Sequence, residues 1–176
     1  KKHNIILPTI KMLDNPQLIP DKIKQELKNV GMDELNPFNL FRISWYNEPL
    51  EKGGQYTDIP NYIEIPPEIS GIKSRIIMLL GAFFPTGSHK VGASYGPLVT
   101  RITSGRFDPK NHKSLWPSTG NYCREGVFNS ALMHSPAVAI LPENMSKERF
   151  DWLQSVNAEI IKAPSTESSI KEVLDI

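Results

Sequence analysis

Short apolar segments alternate with helical ones after Gly71, and this alternation constrains the fold more than any other feature of the sequence. One of these segments, Arg75–Leu80, is an almost continuous apolar run, which is typical of a strand buried on both faces. The other predicted strands are Lys113–Trp116, Ala137–Leu141 and Glu159–Ala163. Four such segments, separated by helical stretches, favour a parallel sheet.

Helical patterns fill the intervals between the predicted strands. One helix is expected from Lys90 to about Gly105, and a second at Tyr122–His134. Ser146 is a suitable N-cap for a third, and the capping box Ser169-x-x-Glu172 opens a fourth. This order of elements predicts an α/β fold with an open, mostly parallel sheet flanked by helices.

Residues 1–70 differ from the rest of the chain, because they hold many of the fifteen prolines and few strand patterns. One helix is predicted there, at Asp21–Val30, with Gly31 placed to end it. The stretch from Asn36 to Pro67 contains repeated prolines and a Gly-Gly pair, which favour a surface wrap or linker. We therefore expect an N-terminal extension over 1–70 and an α/β domain over 71–176.

The sequence ends at Ile176, a few residues into the last predicted helix. A four-stranded sheet whose final helix is unfinished predicts that the chain is part of a larger protein.

Charge and cysteine content narrow the classes of function. The chain has 20 Lys plus Arg and 19 Asp plus Glu, a net charge of +1, which favours neither a nucleic-acid nor a membrane partner. Cys123 is the only cysteine, so we expect a reducing, cytoplasmic environment. The four histidines show no zinc-ligand spacing, and we predict no metal site.

Two polar loops each precede a predicted helix. The first, Phe84–Lys90, follows the predicted strand Arg75–Leu80, and the second, Pro117–Asn121, follows Lys113–Trp116. Ligands of open α/β sheets bind beyond the carboxyl ends of the strands. If the two strands are neighbours, both loops rise at the same edge of the sheet and share a crevice.

The residues of these loops suit the handling of an amino acid. A lysine amine is a nucleophile when neutral, and burial of Lys90 at a helix start would favour that form. Ser118, Thr119, Gly120 and Asn121 offer hydroxyls, an amide and backbone N–H groups, which suit a carboxylate or phosphate. A carbonyl cofactor on Lys90 and a substrate carboxylate on the second loop would complete such a site.

Other interpretations of the same residues remain open at this point. Lys90 could be an ordinary surface lysine, and the Ser118–Asn121 loop a plain turn with an N-cap. Cys123 is interpreted as a small buried thiol. His89 could act as a general acid or pack against its neighbours.

The ordered series of motifs resembles the superfamily of the tryptophan synthase β-subunit and cysteine synthase, over about residues 75–165. The series begins with Pro85-Thr86-Gly87-Ser88-His89-Lys90 and Ser118-Thr119-Gly120-Asn121. It continues through Ala137–Pro142, Met145–Arg149 and Asn157–Ile160. The resemblance implies a two-domain pyridoxal-phosphate enzyme, of which this is a partial chain, and a full-length form that is a homo-oligomer, a dimer.

The resemblance also implies roles for individual residues. Lys90 would form the internal aldimine with pyridoxal 5'-phosphate, with His89 beside it, and Asn121 would hydrogen-bond the cofactor's ring hydroxyl. Ser118, Thr119, Gly120 and Asn121, with the neighbouring Tyr122, would hold the carboxylate of a small amino-acid substrate. The implied chemistry is β-elimination or β-replacement on cysteine or an activated serine, through an aminoacrylate.

Alternatives within the same resemblance are a threonine synthase or ammonia-lyase activity and a tryptophan synthase β-like activity. A third alternative, outside catalysis, is that the chain is a truncated interaction module. The sequence departs from the family pattern at Val91, Gly92 and Tyr122. The family's glycine-rich phosphate cradle belongs to the second half of the enzyme, so we expect this chain alone to bind the cofactor poorly.

Overall fold

The computed structural model describes residues 5–164, and within this range the chain forms two compact units. The first unit comprises residues 7–34 and 38–89, and the second comprises residues 90–164 with the short segments 5–6 and 35–37. The division after His89 falls later than the boundary predicted at residue 70, because residues 71–89 pack with the earlier part of the chain. The helix predicted at Ser169 lies outside the described residues.

The first unit contains short helices and one hairpin. Its elements are α1 (Ile10–Asp14), α2 (Asp21–Leu27), β1 (Tyr62–Ile65), α3 (Pro67–Ser70) and β2 (Ile76–Leu79), with 3-10 turns between them. Helix α2 confirms the predicted helix, although it ends three residues before Val30. It buries Ile23 and Leu27 against Ile19 and Phe41, the cluster that forms the apolar core of this unit.

The stretch predicted as a surface wrap contains a buried 3-10 helix, Pro37–Arg42, so that prediction was wrong for this segment. Arg42 is 1% exposed, and its guanidinium donates to Leu27 O at 2.7 Å, Val30 O at 2.6 Å and Asn39 Oδ1 at 3.0 Å. Burial lowers the pKa of Arg42. These bonds satisfy carbonyls near the C-terminal end of α2, which have no partner inside the helix.

The apolar run at Arg75–Leu80 is the clearest error of the sequence-based prediction. Its central part, β2, pairs antiparallel with β1 in a two-stranded sheet and does not enter the parallel sheet. The side chains of Ile77 and Met78 are 51% and 47% exposed, so the strand is not buried on both faces. An apolar run predicts extended backbone, but its burial depends on what packs on each face, which the run does not encode.

The second unit alternates helices and strands. Its elements are α4 (Lys90–Thr103), β3 (Ser114–Pro117), α5 (Asn121–Leu132), β4 (Ala137–Pro142), α6 (Lys147–Ser155) and β5 (Glu159–Ala163). Each agrees with a predicted element to within about two residues at most ends, which is the usual disagreement between methods of assignment. Ser146 is the N-cap of α6, as predicted, but its side chain makes no capping hydrogen bond.

The three strands of this unit form a parallel sheet in the order β3-β4-β5. Ser114 pairs with Ala137, and Val138 pairs with Glu159, which sets the register of the sheet. All six residues of the central strand β4 are buried, as expected for a strand flanked on both sides in a parallel sheet. The predicted fold class, an α/β fold with a parallel sheet flanked by helices, is confirmed, although the sheet has three described strands and not four.

Close packing of Trp116 against Gly126 joins β3 to α5. A Cβ atom at Gly126 would overlap the six-membered ring of Trp116. The indole Nε1 donates to Ser114 Oγ and Ser130 Oγ, each at 3.0 Å. The absence of a side chain at Gly126 therefore lets a large aromatic ring lie directly against the helix.

The first prediction concerns this contact. Gly126→Ala should lower the free energy of unfolding by about 2 kcal/mol or more, because the added methyl forces the indole or the helix to move. Gly31→Ala is the matched control, since a Cβ there would lie 3.9 Å from Glu34 Cβ, an ordinary contact. Denaturant titration of both variants measures the effect, and equal stabilities would contradict the prediction.

The second prediction concerns the buried guanidinium. Arg42→Gln should lower the free energy of unfolding by about 3 kcal/mol or more, because several charge-assisted hydrogen bonds to buried carbonyls are lost. The exposed Lys22 on α2 supplies a control, and Lys22→Gln should change stability by no more than about 0.5 kcal/mol. Thermal and denaturant unfolding compare the two variants, and a small effect at Arg42 would show that its bonds are replaced by water.

Candidate functional site

The loop Ser118–Asn121 joins β3 to α5 at the carboxyl end of the parallel sheet. Ser118 N–H donates to Ile140 O at 3.2 Å, which continues the pairing of β3 with β4. The Ser118 hydroxyl accepts from Gly120 N–H at 3.1 Å, which holds the loop in a tight turn. The four predicted carboxylate-binding residues therefore lie together where ligands of such sheets bind.

The start of α5 presents backbone donors that no side chain caps. Gly120 is the N-cap, and the structure shows no side-chain hydrogen bond to the first turn of this twelve-residue helix. A Cβ at Gly120 would meet no atom within 4 Å, so the space beside the loop is open. The first N–H groups of a helix have no acceptor within the helix, and together with the positive end of the helix dipole they favour an anion at this place.

Tyr122 follows the loop on the first turn of α5. Its ring packs edge-on against Trp116, with 5.6 Å between the ring centroids, and the side chain is half-buried. This contact links the loop to the packing of β3 on α5. The predicted role of Tyr122 in holding a substrate stays a prediction.

Arg149 is a charged neighbour of the loop to which the sequence analysis assigned no role. It lies on α6, and its Nη1 donates to Thr119 O at 3.4 Å. The only signal in the sequence was its place in the Met145–Arg149 motif, which predicted a helix start and no contact. Its cation adds to the positive potential at the start of α5.

Cys123 occupies the first turn of α5 and is 2% exposed. Burial raises the pKa of this thiol to about 11, although a backbone hydrogen bond with Ile140 and the charge of Arg149 oppose the change. The group is thus an uncharged thiol near neutral pH, and its interpretation as a small buried residue is confirmed.

Lys90 is the first residue of α4, and its side chain is exposed. The expected burial of this amine is not observed among the described residues. The first turn of α4 is attached to α5 through Asn129, whose Nδ2 donates to Val91 O at 2.7 Å and to Ser94 Oγ at 2.8 Å.

This attachment fixes where α4 begins relative to the loop. Asn129 lies about two turns, or about 12 Å along the axis, from Asn121. Arg75–Leu80 and Lys113–Trp116 are not neighbouring strands, as a shared edge would require, because β2 pairs with β1 and β3 pairs with β4. Lys90 and the loop belong to the same unit, and their meeting across a shared crevice stays a prediction.

His89 belongs to the first unit, where its exposed ring stacks on Trp45 at a centroid distance of 5.7 Å. This contact agrees with the interpretation that His89 packs against a neighbour. Its predicted role beside the cofactor remains untested by any contact within residues 5–164.

Two further findings concern metals and membranes. Within residues 5–164, the structure contains no group of three or more His, Cys, Asp or Glu side chains arranged to hold a metal ion. Over the same range, none of the helices has the length and apolar character required to cross a bilayer.

Two curated proteins are similar to this chain in sequence. Cystathionine β-synthase of Saccharomyces cerevisiae is 30% identical over 99 residues, which is 56% of this chain and 20% of that protein. A probable cysteine synthase of Bacillus subtilis is 27% identical over 106 residues, which is 58% of this chain and 34% of that protein. The chain therefore spans between a fifth and about a third of the length of these relatives.

Solved structures show the same fold. An O-acetylserine-dependent cystathionine β-synthase from Helicobacter pylori superposes with a TM-score of 0.58 at 20% identity, over 65% of this chain and 38% of that one. A hydrogen sulfide-producing enzyme from Fusobacterium nucleatum superposes with a TM-score of 0.56 at 16% identity, over 76% of this chain and 40% of that one. No protein-family model matches the chain.

The sequence similarities and the shared α/β fold agree with the motif series of residues 75–165. Over the fifth to third of those proteins that it spans, this chain is thus a homologue of cystathionine β-synthase and cysteine synthase, and it shares its fold with solved enzymes of the same type.

Proposed function

We propose that the protein is a pyridoxal-phosphate-dependent enzyme that eliminates or replaces the β-substituent of a small amino acid such as cysteine or an activated serine. The single observation that carries the proposal is the start of α5, where an open loop of hydroxyls and uncapped N–H groups follows a strand of the parallel sheet. The homologous enzymes named above support the reaction class, and the described residues supply a primary amine and a loop suited to a carboxylate.

The donor set of the second unit fits the cofactor and an amino-acid substrate. Lys90 provides a primary amine that is exposed at the start of a helix. An amine that attacks a carbonyl carbon must be accessible in this way. The carboxamide of Asn121 is exposed at the start of α5 and suits a ring hydroxyl. Pyridoxal phosphate, when bound, supplies an electron-withdrawing ring that stabilises negative charge at the substrate Cα.

The loop holds the substrate by its carboxylate. The N–H groups at the start of α5 and the hydroxyls of Ser118 and Thr119 donate hydrogen bonds to the two carboxylate oxygens. Arg149, bound to Thr119 O, raises the positive potential at the same place. These contacts orient the amino acid so that its Cα hydrogen faces the lysine, and orientation of this kind lowers the barrier by removing the entropy cost of alignment.

Lys90 acts as the acid–base residue. In its neutral form the amine removes the proton from the substrate Cα, and in its charged form it returns a proton later in the cycle. The absence of a side chain at Gly120 lets the substrate carboxylate lie close to the backbone N–H groups, since a Cβ there would occupy the open space beside the loop.

The third prediction tests Lys90. Lys90→Ala should lower turnover of cysteine and O-acetylserine by about a thousandfold or more, because the acid–base group is lost. Borohydride reduction of the cofactor-treated, full-length protein should leave a pyridoxyl label on Lys90, which peptide mass spectrometry detects. In the variant this label and the associated visible absorbance band should disappear.

Lys110→Ala provides the control, because Lys110 is also exposed and belongs to a turn that is part of neither α4 nor the loop. It should keep the label, the absorbance band and the activity of the unmodified protein. An unchanged absorbance band in Lys90→Ala, or stronger labelling of another lysine than of Lys90 in the unmodified protein, would reject the assignment. Parallel assays with serine plus indole and with threonine would reassign the reaction within the superfamily if either were the better substrate.

A further inference from the structure

We infer that Asn129 is a positioning residue for Lys90, an inference that rests on the function proposed for Lys90. The side chain of Asn129 is 0% exposed and lies in the third turn of α5. Its Nδ2 donates to Val91 O at 2.7 Å and to Ser94 Oγ at 2.8 Å. Both acceptors belong to the opening turns of α4, the helix that Lys90 begins.

Ser94 extends this connection to the main chain of Lys90. It is also fully buried, and its hydroxyl lies 3.2 Å from Lys90 O and 3.2 Å from Val91 O. The hydroxyl accepts from Asn129 while it donates to these carbonyls. The amide, the hydroxyl and the first carbonyls of α4 thus form one hydrogen-bonded group that attaches the start of α4 to α5.

The presence of asparagine at position 129 indicates a role in positioning the start of α4 and not in stabilising the fold. Its neighbours on α5, Phe128 and Leu132, are fully buried, and an apolar side chain of similar volume would pack there without desolvation of an amide. Asn129 Oδ1 is buried and has no hydrogen-bond partner among the described residues, which costs free energy. A buried polar group of this kind selects one arrangement of its neighbours.

Selection of one arrangement of α4 against α5 matters because Lys90 lies at the start of α4. Lys90 is the first residue of α4, so the place from which its side chain extends is the place where the backbone of α4 begins. Asn129 and Ser94 attach this backbone to α5. A displacement of about 1 Å in a reacting group can reduce its effectiveness about a hundredfold.

The fourth prediction tests this role with Asn129→Leu in the full-length protein. The variant removes both N–H donors and keeps the branching and the number of heavy atoms of the side chain. The measurement is the pyridoxyl label on Lys90 after borohydride reduction, as a function of pyridoxal phosphate concentration, normalised to the label on Lys110. We expect the apparent affinity of Lys90 for the cofactor to fall about tenfold, while the label on Lys110 is unchanged.

Ser130→Ala is the matched control. Ser130 is the next residue of α5, is equally buried and bonds to Ser114 Oγ, Trp116 Nε1 and Gly126 O, so its loss weakens the same helix without touching α4. Its Lys90 label should stay within about twofold of the unmodified protein. An equal loss in both variants would show that Asn129 is only structural, and no loss in Asn129→Leu would equally overturn the inference.

Hydrogen exchange separates this inference from the proposed function. Asn129→Leu should raise the exchange rates of amides in residues 94–96 at least tenfold more than Ser130→Ala does, with no cofactor present. If exchange responds in this way but the unmodified protein never labels Lys90, the proposed function fails and the anchoring of α4 stands. If Asn129→Leu does not fold, Ser94→Ala removes the same bond with a smaller change and decides the question by the same two measurements.

Discussion

The contact between Trp116 and Gly126 is the constraint on which the second unit depends. Because Gly126 has no side chain, the indole lies directly against α5, where its Nε1 reaches two buried serines, Ser114 and Ser130. The ring also meets Tyr122 at the beginning of the same helix. One side chain of β3 therefore sets the distance, the rotation and the starting point of α5, and with them the shape of the loop between the two elements.

The interior of the second unit combines an apolar strand with several buried polar side chains. The central strand β4 is buried along its whole length, whereas α5 carries Asn129, Ser130 and Glu125 on buried positions. Bonds from such groups are directional, so they define the rotation of one helix against another more narrowly than apolar contacts do. Arg42 has the same effect in the first unit, where it ties a 3-10 helix to the end of α2.

The candidate site combines two features that have different origins. The loop Ser118–Asn121 is held by backbone pairing with β4 and by its own turn, so it needs little from the rest of the chain. The position of Lys90 depends on a side chain from another helix. The open loop thus forms wherever β3 and α5 form, whereas the start of α4, where Lys90 lies, is attached by an additional polar contact with α5.

The sequence by itself determined the elements of the second unit, because periodic apolar residues and turn residues act locally. β3, β4, β5 and α5 agree with the predicted segments, and the loop at Ser118–Asn121 lies at the predicted strand end. The partner of Ile76–Leu79, the burial of Arg42 and the attachment of Val91 to Asn129 were decided only by the tertiary structure. Each of these depends on a contact between residues distant in the chain, and neither periodicity nor composition specifies which distant residue will supply a hydrogen bond or cover an apolar face.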